Sequence, residues 1–355
     1  MKSSYISYTP LHNRVLSYLL CHDSLTFSCF ATLSNQQSIM APKTILIVGA
    51  TGNTGRKTTE TLSQNTKTMS HLKEYRLLAL TRSTGSAVAQ TFSRLSNVTL
   101  EEKNWPEIDA AWLRERNVVK VFIASHNEPA HFAEESAFHV AALKAGVRYV
   151  VRISTTAANV TPDCLAYYPR QHWAIEQLLG SPQFTKMQWS SLQPNVFFAF
   201  TLPPAVEFVK NYRKGGKQGT LGLMLDEKAP VGVVDADDVG RFAAALLSAE
   251  DHSIHNKKKY VLNGPEDLTG RAIVDLVEKE IGTKVQNVKF RDVDFVDQMA
   301  ASSPQAHLVQ SIREAPVTAW DGKCSIATTS KEVYDLASPQ TTAGEWFQNA
   351  LKDQA

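Results

Sequence analysis

A short apolar run followed by three evenly spaced glycines constrains the fold of this chain more than any other feature. The run covers residues 44–48 and is rich in β-branched side chains, which suits a strand buried on both faces. Gly49, Gly52 and Gly55 follow it directly, and a helical segment is predicted over residues 57–64. A strand, a tight turn and a helix in this order predict the first unit of a parallel α/β sheet.

Further strands and helices alternate along the next part of the chain. Because right-handed crossovers place successive strands side by side, such a series forms a parallel sheet with helices on both faces. The predicted fold class is therefore α/β, a doubly wound parallel sheet with a smaller C-terminal α/β part. The sequence predicts strands over 75–80, 98–101, 118–124, 149–153 and 187–193, and helices over 107–116 and 130–145.

Composition excludes several classes of protein. The 355 residues carry 37 basic and 35 acidic side chains, and 43% of them are hydrophobic. A chain this long and apolar buries a sizeable core, and its small net charge argues against nucleic acid as a partner. The four scattered cysteines form no metal-binding pattern and favour a reducing, cytoplasmic location. No stretch reaches the roughly 18 apolar residues that a membrane span requires.

The glycine turn predicts a dinucleotide site. Glycine permits the tight turn, a close approach of the backbone to a pyrophosphate, and close packing of helix on strand, while the first helical amides face the phosphates. A purely conformational turn is the alternative. The spacing is G-x-x-G-x-x-G with no Gly-Lys-Ser/Thr after it, which disfavours a phosphate-transferring loop. The predicted contact residues are Gly49, Thr51, Gly52, Asn53, Thr54 and Gly55.

The end of the second predicted strand indicates which nicotinamide cofactor binds. An NAD site normally places an acidic residue there, to accept a hydrogen bond from the free ribose hydroxyl. Here Arg82 and Ser83 follow the strand, and a guanidinium suits a 2′-phosphate. The alternative for Arg82 is an ordinary surface position. NADP(H) is therefore the predicted cofactor.

The sequence resembles the NmrA-like branch of the atypical short-chain dehydrogenase/reductases, together with isoflavone-reductase-like enzymes. The resemblance runs from Lys43 to about Val296. It implies a Rossmann-type domain that binds NADP(H), with a smaller C-terminal part that closes over a substrate cleft. It rests on the segments IVGATGNTGR (47–56), AGVRYVV (145–151), HWAIE (172–176), LQPNVF (192–197), VDADDVGR (234–241) and LNGPE (262–266).

The chain also departs from the family pattern. Relatives usually place an aspartate near the adenine after the third strand, whereas Asn104 is the candidate here. Classical short-chain reductases use Tyr-x-x-x-Lys, in which the lysine depresses the pKa of the tyrosine. This chain has Tyr168 and, at the lysine position, His172.

Hydride transfer to a carbonyl or alkene leaves negative charge that a nearby acid must neutralise. Tyr168 is the candidate proton donor, and His172, if it titrates near neutrality, donates or relays the proton. The alternative is a buried His172 that bonds to Glu176 four residues later. Pro169 suggests that the helix begins at that residue, which leaves the geometry of the pair open.

Other candidates follow the remaining strand ends, where open α/β sheets bind ligands. Ser154 is predicted to hold the substrate oxygen, with a strand-end cap as the alternative. Ser125 is a predicted cofactor neighbour and His126 a predicted substrate neighbour. The resemblance places Pro194 and Asn195 beside the nicotinamide. The aromatic cluster Phe197, Phe198 and Phe200 is either core or a wall of the site, and Phe197 and Phe198 are taken as substrate candidates.

The predicted domain organisation has three parts. Residues 1–40 lack sustained periodicity and are predicted to be a disordered or non-native extension, since basic residues are too few for a presequence. Residues 41–200, with 228–264, are predicted to form the NADP-binding domain, and 201–227 with 265–355 a substrate-binding cap and lid. Glycines and lysines over 202–226 predict a mobile loop. The acids Asp235, Asp237 and Asp238 are predicted to cap a helix, so no metal is expected.

Two functions remain open from the sequence. The first is an NADPH-dependent reductase that acts on a carbonyl or activated double bond of a small, mostly apolar organic molecule, such as a secondary metabolite or quinone. The second is a non-catalytic, NADP-binding redox sensor, which the family also contains and which His172 in place of lysine keeps open. The partners expected are a small-molecule substrate and either a second copy of the chain or a regulatory protein, with no nucleic acid and no membrane.

Overall fold

The computed structural model describes residues 42–95 and 97–352, so the predicted extension over 1–40 lies outside the described residues. Within this part of the chain, nine strands form one large and one small sheet. The strands are β1 (Lys43–Val48), β2 (Tyr75–Thr81), β3 (Val98–Glu102), β4 (Val118–Ile123), β5 (Tyr149–Ile153), β6 (Gln188–Pro194), β7 (Thr220–Leu223), β8 (Lys258–Leu262) and β9 (Asn287–Phe290).

The helices connect these strands and cover both faces of the large sheet. They are α1 (Asn53–Thr68), α2 (Ala87–Phe92), α3 (Ala110–Glu115), α4 (His131–Ala145), α5 (Tyr167–Gly180), α6 (Phe198–Thr201), α7 (Pro203–Gly215), α8 (Ala236–Ser248), α9 (Gly270–Ile281), α10 (Phe295–Ala301), α11 (Ala306–Gln310), α12 (Val317–Trp320), α13 (Lys331–Ala337) and α14 (Ala343–Lys352).

The large sheet is parallel throughout, in the order β3-β2-β1-β4-β5-β6-β8. The chain runs outward from β1 to β3 and then returns to start again at β4, beside β1. This reversal between β1 and β4 is the switch point at which doubly wound sheets open a crevice. The prediction of a Rossmann-type α/β fold is confirmed.

Alternate residues of β1 belong to different hydrophobic layers, as the period of a strand requires. Ile45 and Ile47 pack into the layer that contains Leu62 of α1 and Phe242 of α8. Leu46 and Val48 face the opposite layer, which contains Leu113 of α3, Phe138 of α4 and Ile175 of α5. The apolar run of β1 is therefore buried on both sides, which explains why it reads as continuous rather than alternating.

Helix α1 is longer than the sequence predicts, since it starts at Asn53 and ends at Thr68. The predicted helix over 57–64 omits residues 53–56 and the polar residues 65–68. One face of the whole helix is nevertheless buried, and α1 packs along α8. The hydroxyls of Thr58 and Thr59 donate to the carbonyls of Thr54 and Gly55 one turn earlier, which lets polar residues occupy a buried helix face.

The segment predicted as a mobile loop over 202–226 is instead ordered secondary structure. Helix α7 and strand β7 occupy most of it, and Val209 and Leu221 belong to a third hydrophobic cluster with Val277 of α9 and Phe347 of α14. Gly216 ends α7 in the left-handed conformation, with φ +65°. Gly215 and Gly216 thus mark a helix end, Gly222 lies within β7, and the loop prediction is wrong.

Candidate active site at the carboxyl edge of the sheet

A cavity of about 1230 Å³ opens along the carboxyl ends of the parallel strands. Residues that follow six of these strands line it, namely Gly49 after β1, Arg82 after β2, Lys103 after β3, Ser125 after β4, Ser154 after β5 and Asn195 after β6. The parallel arrangement explains the convergence, because all carboxyl ends of such strands meet at one edge. This volume exceeds that of a typical pocket for one small ligand, which is about 300–1,000 Å³.

The glycine turn has the shape that a diphosphate requires. Gly49 has φ +77°, and a Cβ there would lie 2.7 Å from the carbonyl oxygen of Ala124. A Cβ on Gly55 would overlap the backbone of Gly49, so any larger residue would push α1 away from β1. Gly52 is the N-cap of α1 and brings no side chain to its first amides. Those amides remain available to an anion in the cavity.

Gly49, Thr51, Gly52, Asn53 and Thr54 all line the cavity. Gly55 does not, because it packs against the turn and acts through the fit of helix on strand.

The end of the cavity next to β2 and β3 is basic. Arg82 is exposed, lines the cavity, and has no ion pair recorded within residues 42–95 and 97–352. Lys103, which the sequence analysis did not single out, lines the same end, as does Asn104, whose amide donates to Glu107 at 2.8 Å. Ser83 lies outside the lining, and its amide donates to Thr81 in the turn.

Two hydroxyls face the opposite end of the cavity. Ser154 is buried, and its Oγ has no hydrogen-bond partner among the described residues. Tyr168 lies in the first turn of α5, which begins at Tyr167 rather than at Pro169. Burial raises the pKa of Tyr168 to about 12, although a hydrogen bond with the Thr155 side chain opposes the shift. Tyr168 is therefore a protonated phenol at neutral pH.

His172 lies one turn after Tyr168 on the same helix, but its ring is occupied by other partners. Its Nδ1 lies 2.8 Å from a guanidinium nitrogen of Arg152, and its Nε2 lies 2.9 Å from Oδ1 of Asn127. Burial, with the positive charge of Arg152, holds the pKa of His172 well below its usual range. The expectation that His172 titrates near neutrality is wrong, because the protein keeps this imidazole neutral.

Glu176 is not the partner of His172 either. Its carboxylate accepts from Ser191 at 2.7 Å and from Gln193 at 3.2 Å, and it pairs with Lys259 at 2.9 Å. The predicted bond between His172 and Glu176 is therefore replaced by bonds to two neighbouring strands.

A second buried carboxylate, Glu135 of α4, organises the space behind the cavity. It accepts from Arg152 at 2.6 Å, from His139 at 3.0 Å and from Ser125 at 2.6 Å, and it lies 2.5 Å from His131. Burial opposes its ionisation, but Arg152 and the two histidines outweigh burial and hold the pKa of Glu135 well below its usual range. The Ser125 hydroxyl is thus committed to this network, although Ser125 lines the cavity.

The remaining candidates divide between the cavity and the core. His126 lines the cavity and pairs with Glu134 at 2.5 Å. Phe197 lines it as well, whereas Phe198 is 1% exposed and belongs to the C-terminal core, so its assignment to the substrate is wrong. Phe200, the third ring of the cluster, lines the cavity instead.

Pro194 and Asn195 line the cavity where β6 ends. The Asn195 amide donates to Asn263 at 3.0 Å and to the carbonyl of Cys324 at 2.8 Å, which ties the C-terminal segment to the sheet.

The outer wall of the cavity is apolar and comes from the C-terminal part of the chain. The sequence gives no local signal for it, because its members lie on short helices and loops that are far apart in the chain. They are Met224, Leu225, Phe295, Met299, Val309, Ile312, Ala315, Pro316 and Ala319.

Of the three acids predicted to cap a helix, Asp235 does so, whereas Asp238 pairs with Arg241 and accepts from the amides of Gln340 and Thr341. Asp235 is the N-cap of α8 and accepts from the amide of Asp237, which in turn pairs with Arg56 at 2.9 Å and with Lys57 at 3.3 Å. In the described part of the chain, no helix combines the length and the apolar character needed to cross a bilayer.

Comparisons with known proteins agree with this architecture. The model of the NmrA-like family matches residues 41–315. A comparison with curated protein sequences finds no match.

Among solved structures, an NADPH-dependent quinone oxidoreductase from Escherichia coli, complexed with NADPH, is similar at 20% identity and a TM-score of 0.65, covering 86% of this chain and 99% of the other. A triphenylmethane reductase from Citrobacter sp., complexed with NADP(H), is similar at 18% identity and a TM-score of 0.63, covering 87% and 100%. The negative transcriptional regulator NmrA, in complex with NADP, is similar at 14% identity and a TM-score of 0.63, covering 88% and 97%.

At these sequence identities, the similarity to the three solved structures shows that this chain shares their fold. The nucleotides in all three structures agree with the cofactor predicted from the sequence.

Proposed function

The chain belongs to the NmrA-like family, and we propose that it acts as an NADPH-dependent reductase. Its substrate is a carbonyl compound or an activated alkene that is small and mostly apolar, such as a secondary metabolite or a quinone. One observation carries the proposal: a single cavity joins the glycine turn and Arg82 at one end to the Ser154 and Tyr168 hydroxyls at the other.

The residues that hold the cofactor follow from the chemistry of its parts. The open amides at the start of α1 bind the diphosphate, because a helix N-terminus carries partial positive charge. Arg82 and Lys103 bind the 2′-phosphate, and both lie at the cavity end that follows β2 and β3. When bound there, NADPH supplies a hydride. Solved structures of similar fold that contain NADPH or NADP support this assignment.

Ser154 and Tyr168 handle the oxygen and the proton of the substrate. The Ser154 hydroxyl is buried without a partner, and a substrate oxygen would provide the acceptor that it lacks. Tyr168 keeps its proton at neutral pH because burial raises its pKa to about 12, so it is the group able to donate one. Catalysis by so weak an acid is less efficient than by one matched to the working pH.

The apolar outer wall determines the substrate class. Met224, Phe295 and Met299 line the same cavity as the two hydroxyls, and such side chains favour a ligand that gives up little hydration on entry. The same wall keeps water from the reacting centre. The charged residues of the lining lie on the other side of the cavity, after β2, β3 and β4.

A second function, an NADP-binding redox sensor that acts through a protein partner, has one observation in its favour. The pKa of Tyr168 is raised, and its helix neighbour His172 is neutral, so the phenol lacks the cation that would make it a stronger acid. A sensor needs the nucleotide site but no proton donor.

Turnover measurements distinguish the two functions. We expect the purified protein to oxidise NADPH with at least one member of a panel of quinones, enones and aldehydes. Tyr168→Phe and Ser154→Ala should each slow turnover while NADPH affinity is unchanged, and Tyr334→Phe, at an exposed ring outside the cavity, serves as the matched control. Tight NADPH binding without turnover across the whole panel would favour the sensor.

A further inference from the structure

Asn127 is a cavity residue that neither the glycine turn nor the predicted catalytic group includes. It lies four residues after the end of β4, is exposed, and lines the cavity. Its side-chain oxygen Oδ1 lies 2.9 Å from Nε2 of His172. Its side-chain nitrogen has no hydrogen bond recorded within the described residues and is not among the buried atoms that lack a partner. The amide nitrogen therefore remains open to a ligand.

The direction of the hydrogen bond between His172 and Asn127 follows from the partner on the other side of the imidazole. The guanidinium of Arg152 only donates, so Nδ1 of His172, at 2.8 Å, must accept. A neutral imidazole has one N–H, which then lies on Nε2. His172 thus donates to Asn127, which places the carbonyl oxygen of the amide toward the histidine and the NH₂ group away from it.

Arg152 holds this arrangement rigidly because it is itself fixed. It is fully buried, donates to Glu135 at 2.6 Å and to Ser191 at 3.1 Å, and comes from the middle of the sheet on β5. The backbone carbonyl of Asn127 also accepts a hydrogen bond from the hydroxyl of Tyr167. Because an arginine stays protonated, the chain from Glu135 through Arg152 to His172 orients groups and does not relay protons.

We propose that the Asn127 amide donates to an oxygen of the nicotinamide riboside half of NADP(H), with His172 and Arg152 as positioning residues that set its orientation. The inference rests on the proposed function. The order of strands supports it, since the proposed function would place the diphosphate at the turn after β1 and the adenosine end at Arg82 after β2. The other nucleoside would then extend toward β4 and β5, where Asn127 and Ser154 line the cavity. Ribose hydroxyls and the carboxamide carbonyl are suitable acceptors there.

Calorimetric titration with two nucleotides tests the contact. We expect Asn127→Asp, which keeps the shape and the acceptor but removes the donor and adds a negative charge, to weaken NADPH binding at least about tenfold. The affinity for adenosine 2′,5′-bisphosphate, which lacks the nicotinamide riboside, should not change. Asn127→Ala should behave in the same way. Arg82→Ala is the matched control, because it should weaken both ligands.

Two substitutions test the positioning role of His172. His172→Leu removes both hydrogen bonds of the ring, and we expect NADPH binding to weaken about threefold to fivefold. His172→Gln keeps one donor and one acceptor, so it should restore most of the affinity. Nitrogen NMR of the labelled native protein should find the proton of His172 on Nε2, as the bond from Arg152 requires, and rescue of NADPH affinity by His172→Gln is the readout that a merely structural histidine would not give.

The outcomes separate this inference from the proposed function. Unchanged NADPH affinity in Asn127→Ala, or an equal loss for both nucleotides in that uncharged variant, would overturn the contact, and a proton on Nδ1 would overturn the positioning role. If neither nucleotide binds the native protein, both ideas fail. If NADPH binds but no substrate turns over, only the reductase assignment fails. Should His172→Leu not fold, the Asn127 variants and the NMR result still decide the matter.

Discussion

The glycine turn between β1 and α1 and the buried polar cluster between β4, β5, α4 and α5 serve the same cavity in different ways. The turn consists of seven consecutive residues, and it shapes the cavity through the path of its backbone. The cluster is built around Glu135, Arg152 and His172, which come from three different elements, and its contribution is the direction of hydrogen bonds. The comparison teaches that steric requirements are local in sequence, whereas electrostatic ones are distributed.

The polar cluster balances its own charge. Arg152 and Lys259 are cations, and Glu135 and Glu176 are anions. This balance holds when His139 and His172 are neutral, and burial holds the pKa of each below its usual value. A buried network of this kind costs stability when one partner is lost, because the remaining charge is left without compensation.

Removal of Arg152 should have the largest effect on stability. Arg152→Leu leaves the carboxylate of Glu135 buried without its main counter-charge, and we expect the free energy of unfolding to fall by about 3–5 kcal/mol. Arg213→Leu is the control, because Arg213 pairs with Glu280 at the surface and is half exposed; its loss should cost less than about 1 kcal/mol. Urea denaturation measures both. Equal losses would remove the distinction between buried network and surface pair.

A side chain at Gly55 tests the glycine turn. Its Cβ would overlap the backbone of Gly49, so we expect Gly55→Ala to lower the free energy of unfolding by about 2–3 kcal/mol. Gly180→Ala is the matched control, since Gly180 has open space around it in α5. This substitution should raise the free energy of unfolding by up to about 1 kcal/mol. Thermal and urea denaturation give the comparison. A tolerated Gly55→Ala would show that the turn can relax.

Arg82 tests the chemistry of the nucleotide end of the cavity. We expect Arg82→Ala to weaken NADPH binding roughly 50-fold, because charge-assisted hydrogen bonds to the 2′-phosphate are lost. Binding of NADH, which lacks this phosphate, should change less than about twofold. Arg94→Ala, at another arginine outside the cavity lining, serves as the control. Equal weakening of the two cofactors would contradict the 2′-phosphate assignment.

The buried histidines should make stability depend on pH. The pKa of His139 and of His172 is lowered by burial below the ordinary value of 6.5. Below about pH 6.5 these histidines therefore bind protons in the unfolded chain but not in the folded one. The free energy of unfolding falls as the pH decreases. Each histidine contributes up to about 1.4 kcal/mol per pH unit in that range.

Urea denaturation between about pH 7 and about pH 5 measures this slope. His172→Gln, which cannot titrate, should reduce it, while the contributions of His252 and His255, whose pKa values are also lowered by burial, persist. An unchanged slope would mean that the pKa of His172 is the same in the folded and the unfolded protein.

The sequence by itself determined the parallel α/β fold and the glycine turn, because both depend on short-range patterns. The β-branched run before Gly49 and the spacing to Gly55 are local, and so is the position of Arg82 directly after β2. Each of these features constrains the backbone within a few residues. The parallel connections then bring the carboxyl ends of the strands to the same edge of the sheet.

The tertiary structure alone decided the partners of His172, the location of Phe198 and the apolar wall of the cavity. On its own helix, His172 has neighbours four residues away at positions 168 and 176. The structure instead brings Arg152 of β5 and Asn127, which follows β4, within hydrogen-bond distance of its ring. Phe198 and Phe200 are equally apolar in sequence, and only the packing of α6 separates core from cavity. Burial and charge are properties of the assembled chain, so the pKa of an imidazole is set by residues that sequence distance does not reveal.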